Sequence, residues 1–442
     1  MDKKKILTIS DMPLIPSGVG TQANYLITGL LKTGKYRVVS MGGAIKHPDY
    51  RPIKTEQWGD DWILHPIDGY GDKDVLRGFL ARERPDALIF VTDPRFYVWL
   101  WEMEDEVRSI CPMVYWHVWD NDPTPRFNKV FYDSTDHVAA LSLKTYGLLQ
   151  DMGSKNISYI PHGLPTDLFR PMPDEEVAAF KQQNYGPHRD RRFIVFWNNR
   201  NARRKSTGDV VECFAKFSEK VGRENVALMM HTSVQDPEGQ DIRALAERFG
   251  VSDLLIISEN RISPEVLNMY YNVADCTINV ASNEGFGLAT LESLYAGTPI
   301  VVHMTGGLQF QVGPWWQDGS GASDVDLSDQ EAMFARAKKL YANGKCDWWG
   351  SPVFPAARRC TGSQPIPYIY DDVPNHKDVV DGLVRLYRMK RDERRALGRR
   401  ASEWASKTFS LPKMVSSFDG VISSEIERHA ASGGRCERTA TL

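Results

Sequence analysis

The chain has 442 residues, 42% of them hydrophobic and 25% charged, a size that exceeds one ordinary core and suits two domains. Its formal net charge of −3 gives no overall pull towards nucleic acid or an anionic membrane, so any cationic surface must be local. Six cysteines without Cys-x-x-Cys pairing or zinc-like histidine spacing argue against a metal framework and read as reduced thiols, although Cys346 and Cys360 share one loop-like region and could pair under oxidation.

In chain order, the short apolar run at 6–9 reads as a first strand, too short for a signal peptide. No apolar stretch reaches membrane-spanning length, so a cytoplasmic protein without stable membrane insertion is expected. β-rich runs at 5–10, 37–41, 87–91, 113–117 and 137–141 alternate with helical patterns at 21–31, 74–84 and 143–152. This alternation predicts a parallel sheet with helices on both faces, a Rossmann-like unit over 1–170. A polar, proline-bearing stretch at 171–192 reads as a hinge or linker. A second series follows, with strands at 193–197, 226–231, 254–257, 276–280 and 299–303 and helices at 209–219, 242–249, 264–272 and 287–296. The predicted fold class is therefore α/β, with two Rossmann-like domains, the second spanning 193–410. Residues 319–372 are rich in glycine, proline and aromatics and read as an insertion, either an aromatic-stapled surface loop or an acceptor-binding lid. Amphipathic helices are predicted at 376–389 and 391–407, then a last helix at 411–432 and a disordered tail at 433–442.

Ligands in open parallel sheets collect at the carboxyl ends of strands. At one such end stands Asn283-Glu284-Gly285-Phe286-Gly287-Leu288-Ala289-Thr290-Leu291-Glu292. Two carboxylates lie eight positions apart, with a glycine-rich turn after the first and an apolar helix carrying the second. A helix start beside glycines lets backbone N–H groups approach an anion, and the peptide dipoles favour negative charge there. A diphosphate at the amides, a sugar at Glu284 and ribose hydroxyls at Glu292 would use every part of this arrangement.

These residues resemble the Glu-x7-Glu signature of the retaining GT-B glycosyltransferases of family 4. The resemblance extends to Pro16-Ser17-Gly18-Val19-Gly20-Thr21, similar to the family's amino-terminal glycine loop, and to Asn199–Lys205, where Arg200 and Lys205 match an arginine and a lysine five positions apart. It implies that Arg200 and Lys205 neutralise the departing diphosphate. Glu284 would orient donor-sugar hydroxyls, and His117, at a strand end, would lie near the reacting centre. The donor would be held by Gly18, Gly20, Asn260, Ile262, Gly285, Phe286, Gly287, Leu288 and Glu292. Asp11, Trp116, Trp119 and Asp120 are candidates for the acceptor side.

The implied activity is transfer of a hexose from a nucleoside diphosphate sugar, UDP favoured, with retained configuration. The nucleotide sugar is the co-substrate, and no cofactor is required. No metal is expected either, since Asp120-Asn121-Asp122 and Asp324-Val325-Asp326 are acidic turns rather than metal motifs. The acceptor stays open between a carbohydrate or small molecule and a hydroxymethylated pyrimidine in viral DNA. A catalytically silent GT-B module that binds a nucleotide sugar is the alternative reading.

Overall fold

The computed structural model describes residues 3–185, 192–317 and 325–433. The first sheet contains β1 (Lys4–Asp11), β2 (Tyr36–Gly43), β3 (Ile53–Lys54), β4 (Trp62–Pro66), β5 (Ala87–Thr92), β6 (Met113–His117), β7 (His137–Ala140) and β8 (Ile157–Tyr159). Their order is β3-β4-β2-β1-β5-β6-β7-β8, parallel except for the short edge strand β3. β5 and β6 are buried along their whole length, as expected of central strands covered by helices on both faces.

The second sheet contains β9 (Phe193–Asn198), β10 (Val226–His231), β11 (Leu255–Ser258), β12 (Cys276–Asn279), β13 (Ile300–His303) and β14 (Gly350–Val353). Its order is β11-β10-β9-β12-β13-β14, parallel throughout. Strand order reverses between β1 and β5 in the first sheet and between β9 and β12 in the second. The chain therefore leaves adjacent strands towards opposite faces at these two places, opening a crevice at each.

The helix Leu411–Ala431 returns to the first sheet's side. Phe418 packs edge-on against Trp116, the Tyr36 hydroxyl donates to Asp419 at 2.6 Å, and His429 Nε2 lies 2.7 Å from the Arg108 carbonyl oxygen.

Two regions differ from the sequence expectation. The presumed linker holds a helix, Asp174–Tyr185, that packs against Pro264–Val273; residues 186–191 lie outside the described chain. The presumed insertion is not a loop. It contains the helix Gln330–Asn343, the edge strand β14, and an antiparallel hairpin of β15 (Pro355–Thr361) and β16 (Ile369–Pro374). Pro352 is tolerated in β14 because that strand pairs on one side only. Cys346 and Cys360 are both free thiols. Of the predicted tail, only Gly433 is described, and Asp324 of the second acidic turn also lies outside the described residues.

Candidate functional site

The switch point of the second sheet gathers the charged residues. After β9 the chain makes a short turn, Arg203–Lys205, and Ser206 takes a left-handed conformation (φ +54°) before the helix Thr207–Val221. After β12 it reaches Glu284 and then the helix Leu288–Tyr295. The two turns are tied by Ser282 N–H donating to the Arg204 carbonyl at 2.8 Å. Lys205 Nζ bonds Glu284 Oε2 directly, and Arg204 Nη1 reaches the same oxygen at 2.9 Å. Burial alone would raise the Glu284 carboxyl, but the charges and hydrogen bonds of Lys205 and Arg204 outweigh it and hold it down at about 2.

Close packing around Glu284 requires glycine at two places, one in the turn that follows it and one after β13. Gly287 (φ +92°) precedes the helix in a left-handed conformation, and a Cβ there would come within 2.3 Å of Leu308. Gly306 (φ +45°) lies so close to the carbonyl oxygens of Glu284 and Asp120 that a Cβ would sit 2.2 Å from each. Since Asp120 belongs to the first domain, that contact spans the cleft. Gly18 is seated opposite Leu288, its hypothetical Cβ 3.4 Å from Leu288 Cδ1, and His162 meets the Phe286 ring at 4.9 Å. Ser17 caps the helix Gly18–Lys32 by accepting from Gly20 N–H. The glycine loop of one domain and the glutamate turn of the other thus face each other.

Glu292 follows about one turn along the helix Leu288–Tyr295. The Tyr271 hydroxyl donates to its Oε2 at 2.7 Å, and Asn198 Nδ2 donates to that hydroxyl at 2.7 Å. Burial pushes the Glu292 carboxyl up to about 7, against the opposing effect of the tyrosine bond. Asn260 is exposed and Ile262 half-buried, both in the turn after β11. On the first-domain side, Asp11 ends β1 and accepts from Ser17 Oγ and the Tyr70 hydroxyl, each at 2.6 Å. Asp93 follows β5, and burial pushes its carboxyl up.

Other predicted residues are placed elsewhere. Arg200 is 61% exposed and pairs with Asp236 at 2.6 Å and Glu238 at 3.4 Å rather than with Glu284. Its expected place beside Lys205 is taken by Arg204, whose position next to the lysine gives no sequence signal of its own. His117 is buried, with Nε2 2.9 Å from the Tyr132 hydroxyl and Nδ1 3.3 Å from that of Tyr115. The Tyr115 hydroxyl donates to the Thr92 carbonyl and Asn128 donates to the Tyr132 hydroxyl, which fits a neutral ring protonated on Nδ1. Burial lowers the pKa of His117 to about 3, and both of its ring nitrogens face tyrosine hydroxyls of the aromatic core. Trp116 is likewise core, against His162 and Phe418, and Trp119 is buried with its indole N–H on the Asn121 carbonyl.

The hairpin β15–β16 straddles the cleft beside this site. Arg358 bonds Asp372 at 2.7 Å and also pairs with Asp122, whose other oxygen meets buried Lys144. Asn121 Nδ2 donates to Thr305 Oγ1 and to Asp372, and Tyr370 N–H donates to the Asp122 carbonyl at 2.8 Å. Asn283, next to Glu284, donates to Asp371 at 2.7 Å. The acidic turn Asp120–Asp122 is thus part of an ionic clasp between domains. Among the described residues no group of three or more His, Cys, Asp or Glu side chains is arranged to hold a metal ion.

The two facing doubly wound sheets define a GT-B fold, and comparison with solved structures agrees. A glycosyltransferase from Rickettsia africae superposes with a TM-score of 0.68 at 13% identity, over 97% of this chain and 100% of that one. Anabaena Alr3699/HepE in complex with UDP-glucose gives 0.65 at 13% identity, over 95% and 99%. Residues 179–343 match the family model for glycosyl transferases group 1. A D-inositol 3-phosphate glycosyltransferase from Corynebacterium jeikeium is 27% identical over 159 residues, 35% of this chain and 37% of its own length. A trehalose synthase from Pyrococcus horikoshii is 26% identical over 113 residues, 24% of this chain and 27% of its own. The chain thus aligns with well under two thirds of either relative. Among the described residues no helix is long and apolar enough to cross a membrane.

Proposed function

We propose that the protein is a retaining, metal-independent glycosyltransferase that moves a hexose from a UDP-sugar to a hydroxyl acceptor. The observation that carries this reading is the Lys205–Glu284–Arg204 cluster at the strand-order reversal of the second sheet, beside the amides that open the helix Leu288–Tyr295. Cations fixed beside a leaving diphosphate stabilise the charge that builds as the glycosidic bond breaks, without reorganising. In the proposed step the anomeric carbon loses its bond to the β-phosphate oxygen and gains one to the acceptor oxygen on the same face. The acceptor's proton passes to the released phosphate. Glu284 holds the sugar hydroxyls, and Glu292, steadied by Tyr271, accepts from the ribose. The UDP-glucose complex of the Anabaena neighbour supports UDP as the nucleotide. In place of a metal ion, Arg204 and Lys205 supply the positive charge.

Incubation with a panel of UDP- and GDP-sugars, with released nucleotide as readout, tests this reading. Release with a UDP-sugar that Lys205→Ala and Glu284→Ala each abolish is expected. Binding without release from any donor would favour the silent module instead.

A further inference from the structure

The far end of the second sheet carries a cationic cavity that the donor cleft does not use. It lies at the amino-terminal ends of β12 and β13, whereas Glu284 and Lys205 follow the carboxyl ends of their strands. The cavity has a volume of about 220 Å³ and is walled by the helices Asp174–Tyr185 and Arg391–Thr408 and by the residues that lead into β12 and β13. Five cations line it, Lys181, Arg391, Arg394, Arg395 and Arg399, against two carboxylates. Both carboxylates are engaged. Asp275 pairs with Arg394 at 2.6 Å and accepts from Ile194 N–H at 2.9 Å, and Asp174, itself largely exposed, pairs with Arg395. Among the described residues Arg391 and Arg399 have no ion pair.

By itself this arrangement opposes folding. Arg391, Arg395 and Arg399 stand four positions apart, which stacks three like charges on one face of their helix and destabilises it. Arg391 is also in the first turn, where the helix dipole disfavours a cation. Burial and the charge of Arg399 push the pKa of Arg395 down. Gly398 holds the column in place: a Cβ there would overlap the Gly297 carbonyl oxygen, so the helix backbone lies directly against the cavity's own loop. A second recess shares Lys181, Arg391 and Arg394 and adds Arg192, whose Nε is buried with no hydrogen-bond partner among the described residues. Guanidinium groups gathered without matching carboxylates, around a recess rather than on a flat face, suit the charge and the acceptor geometry of a phosphate group.

We infer that this cavity is a second anion site, separate from the donor cleft, that binds a small phosphorylated molecule with its phosphate on Arg391, Arg395 and Arg399. The inference does not depend on glycosyl transfer in the cleft. The cavity wall includes the connection between the domains: Met172 N–H donates to Asn272 Oδ1 at 2.7 Å, and Asn272 Nδ2 donates to the Arg170 carbonyl at 3.0 Å. Asn272 follows Tyr271, the residue that holds Glu292, so the wall of this cavity is continuous with that of the donor pocket.

The test is calorimetric titration of inorganic phosphate, pyrophosphate and glucose 6-phosphate into the full chain, with saturating UDP present to occupy the donor cleft. Saturable binding of at least one probe is expected, weakened about tenfold or more in Arg391→Ala/Arg399→Ala. Without any anion that variant should show a urea midpoint no lower than the parent's, because like-charge contacts are relieved and no ion pair is broken. Binding that the variant retains, binding seen only when UDP is left out, or no saturable binding of any probe overturns the inference. A lower urea midpoint in the variant would make the arginines part of the fold and also overturn it. If none of the small probes binds and the variant instead loses binding to duplex DNA or to phosphatidylglycerol vesicles, the face is a macromolecular contact and the inference fails.

Discussion

Neutralising Glu284 separates its part in the fold from its part in the chemistry. The carboxylate and its lysine partner are 13% and 10% exposed, so solvent screens their attraction little, whereas Arg204, at 43%, contributes a reduced share. Glu284→Gln keeps the shape and leaves Lys205 buried beside Arg204 without a counter-charge, a defect worth about 3–5 kcal/mol. Linkage gives a similar size. A carboxyl held at about 2 against an ordinary 4.5 contributes about 3 kcal/mol of stability. Because its pKa is lowered, that contribution is complete above about pH 4.5 and fades as the pH falls towards 2. Adding Lys205→Met to Glu284→Gln removes both charges and should restore most of the lost stability, without restoring turnover. The variant's turnover should fall by about 2–4 kcal/mol of barrier, roughly 30- to 1000-fold. Urea denaturation midpoints of the four proteins, with nucleotide release for each, complete the cycle. Strictly additive losses would show that the pair does not interact, and near-normal turnover of Glu284→Gln would remove its catalytic role.

Four further outcomes are expected. With Glu292 at about 7 and ribose hydroxyls favouring its carboxylate, UDP affinity measured calorimetrically should tighten as the pH rises from about 6 to 8, with proton release, and Glu292→Gln should flatten that dependence. The sign is opposite for the free protein: a raised carboxyl costs stability as the pH climbs from 4.5 through about 7, which a denaturation series would show. Arg204→Ala should weaken UDP binding about tenfold or more, whereas Arg200→Ala, breaking an exposed pair, should change it by less than about threefold. Arg358→Ala leaves buried Asp372 without a cation, whereas Asp122 keeps Lys144, and should cost about 3–5 kcal/mol, with faster hydrogen exchange at the amides of Tyr370 and Asp372. Unchanged exchange there would mean that the hairpin does not clasp the domains.

The strand and helix series was legible because parallel strands buried on both faces leave continuous apolar runs, such as Ala87–Thr92 and Val226–His231. The helix Gln330–Asn343 carries ordinary signals, an Asp329 cap and Gly344 in a left-handed conformation, but these are masked by the glycine, proline and aromatic content of the stretch around it. β14 gave no strand signal, since Gly350-Ser351-Pro352-Val353 is admitted only by an edge position that the rest of the sheet creates.

By itself the sequence determined two doubly wound units and the Glu284 turn, because both are written in local periodicity and spacing. Tertiary structure decided which arginine stands beside Lys205, that His117 belongs to an aromatic core, and that β15–β16 joins the domains across Asp122. Those outcomes depend on partners distant in the chain: Glu284 is reached from Arg204 across a strand-order reversal, and Asp122 from Arg358 across a cleft. A side chain's role there follows from what faces it and how much water remains, and neither quantity is local in sequence.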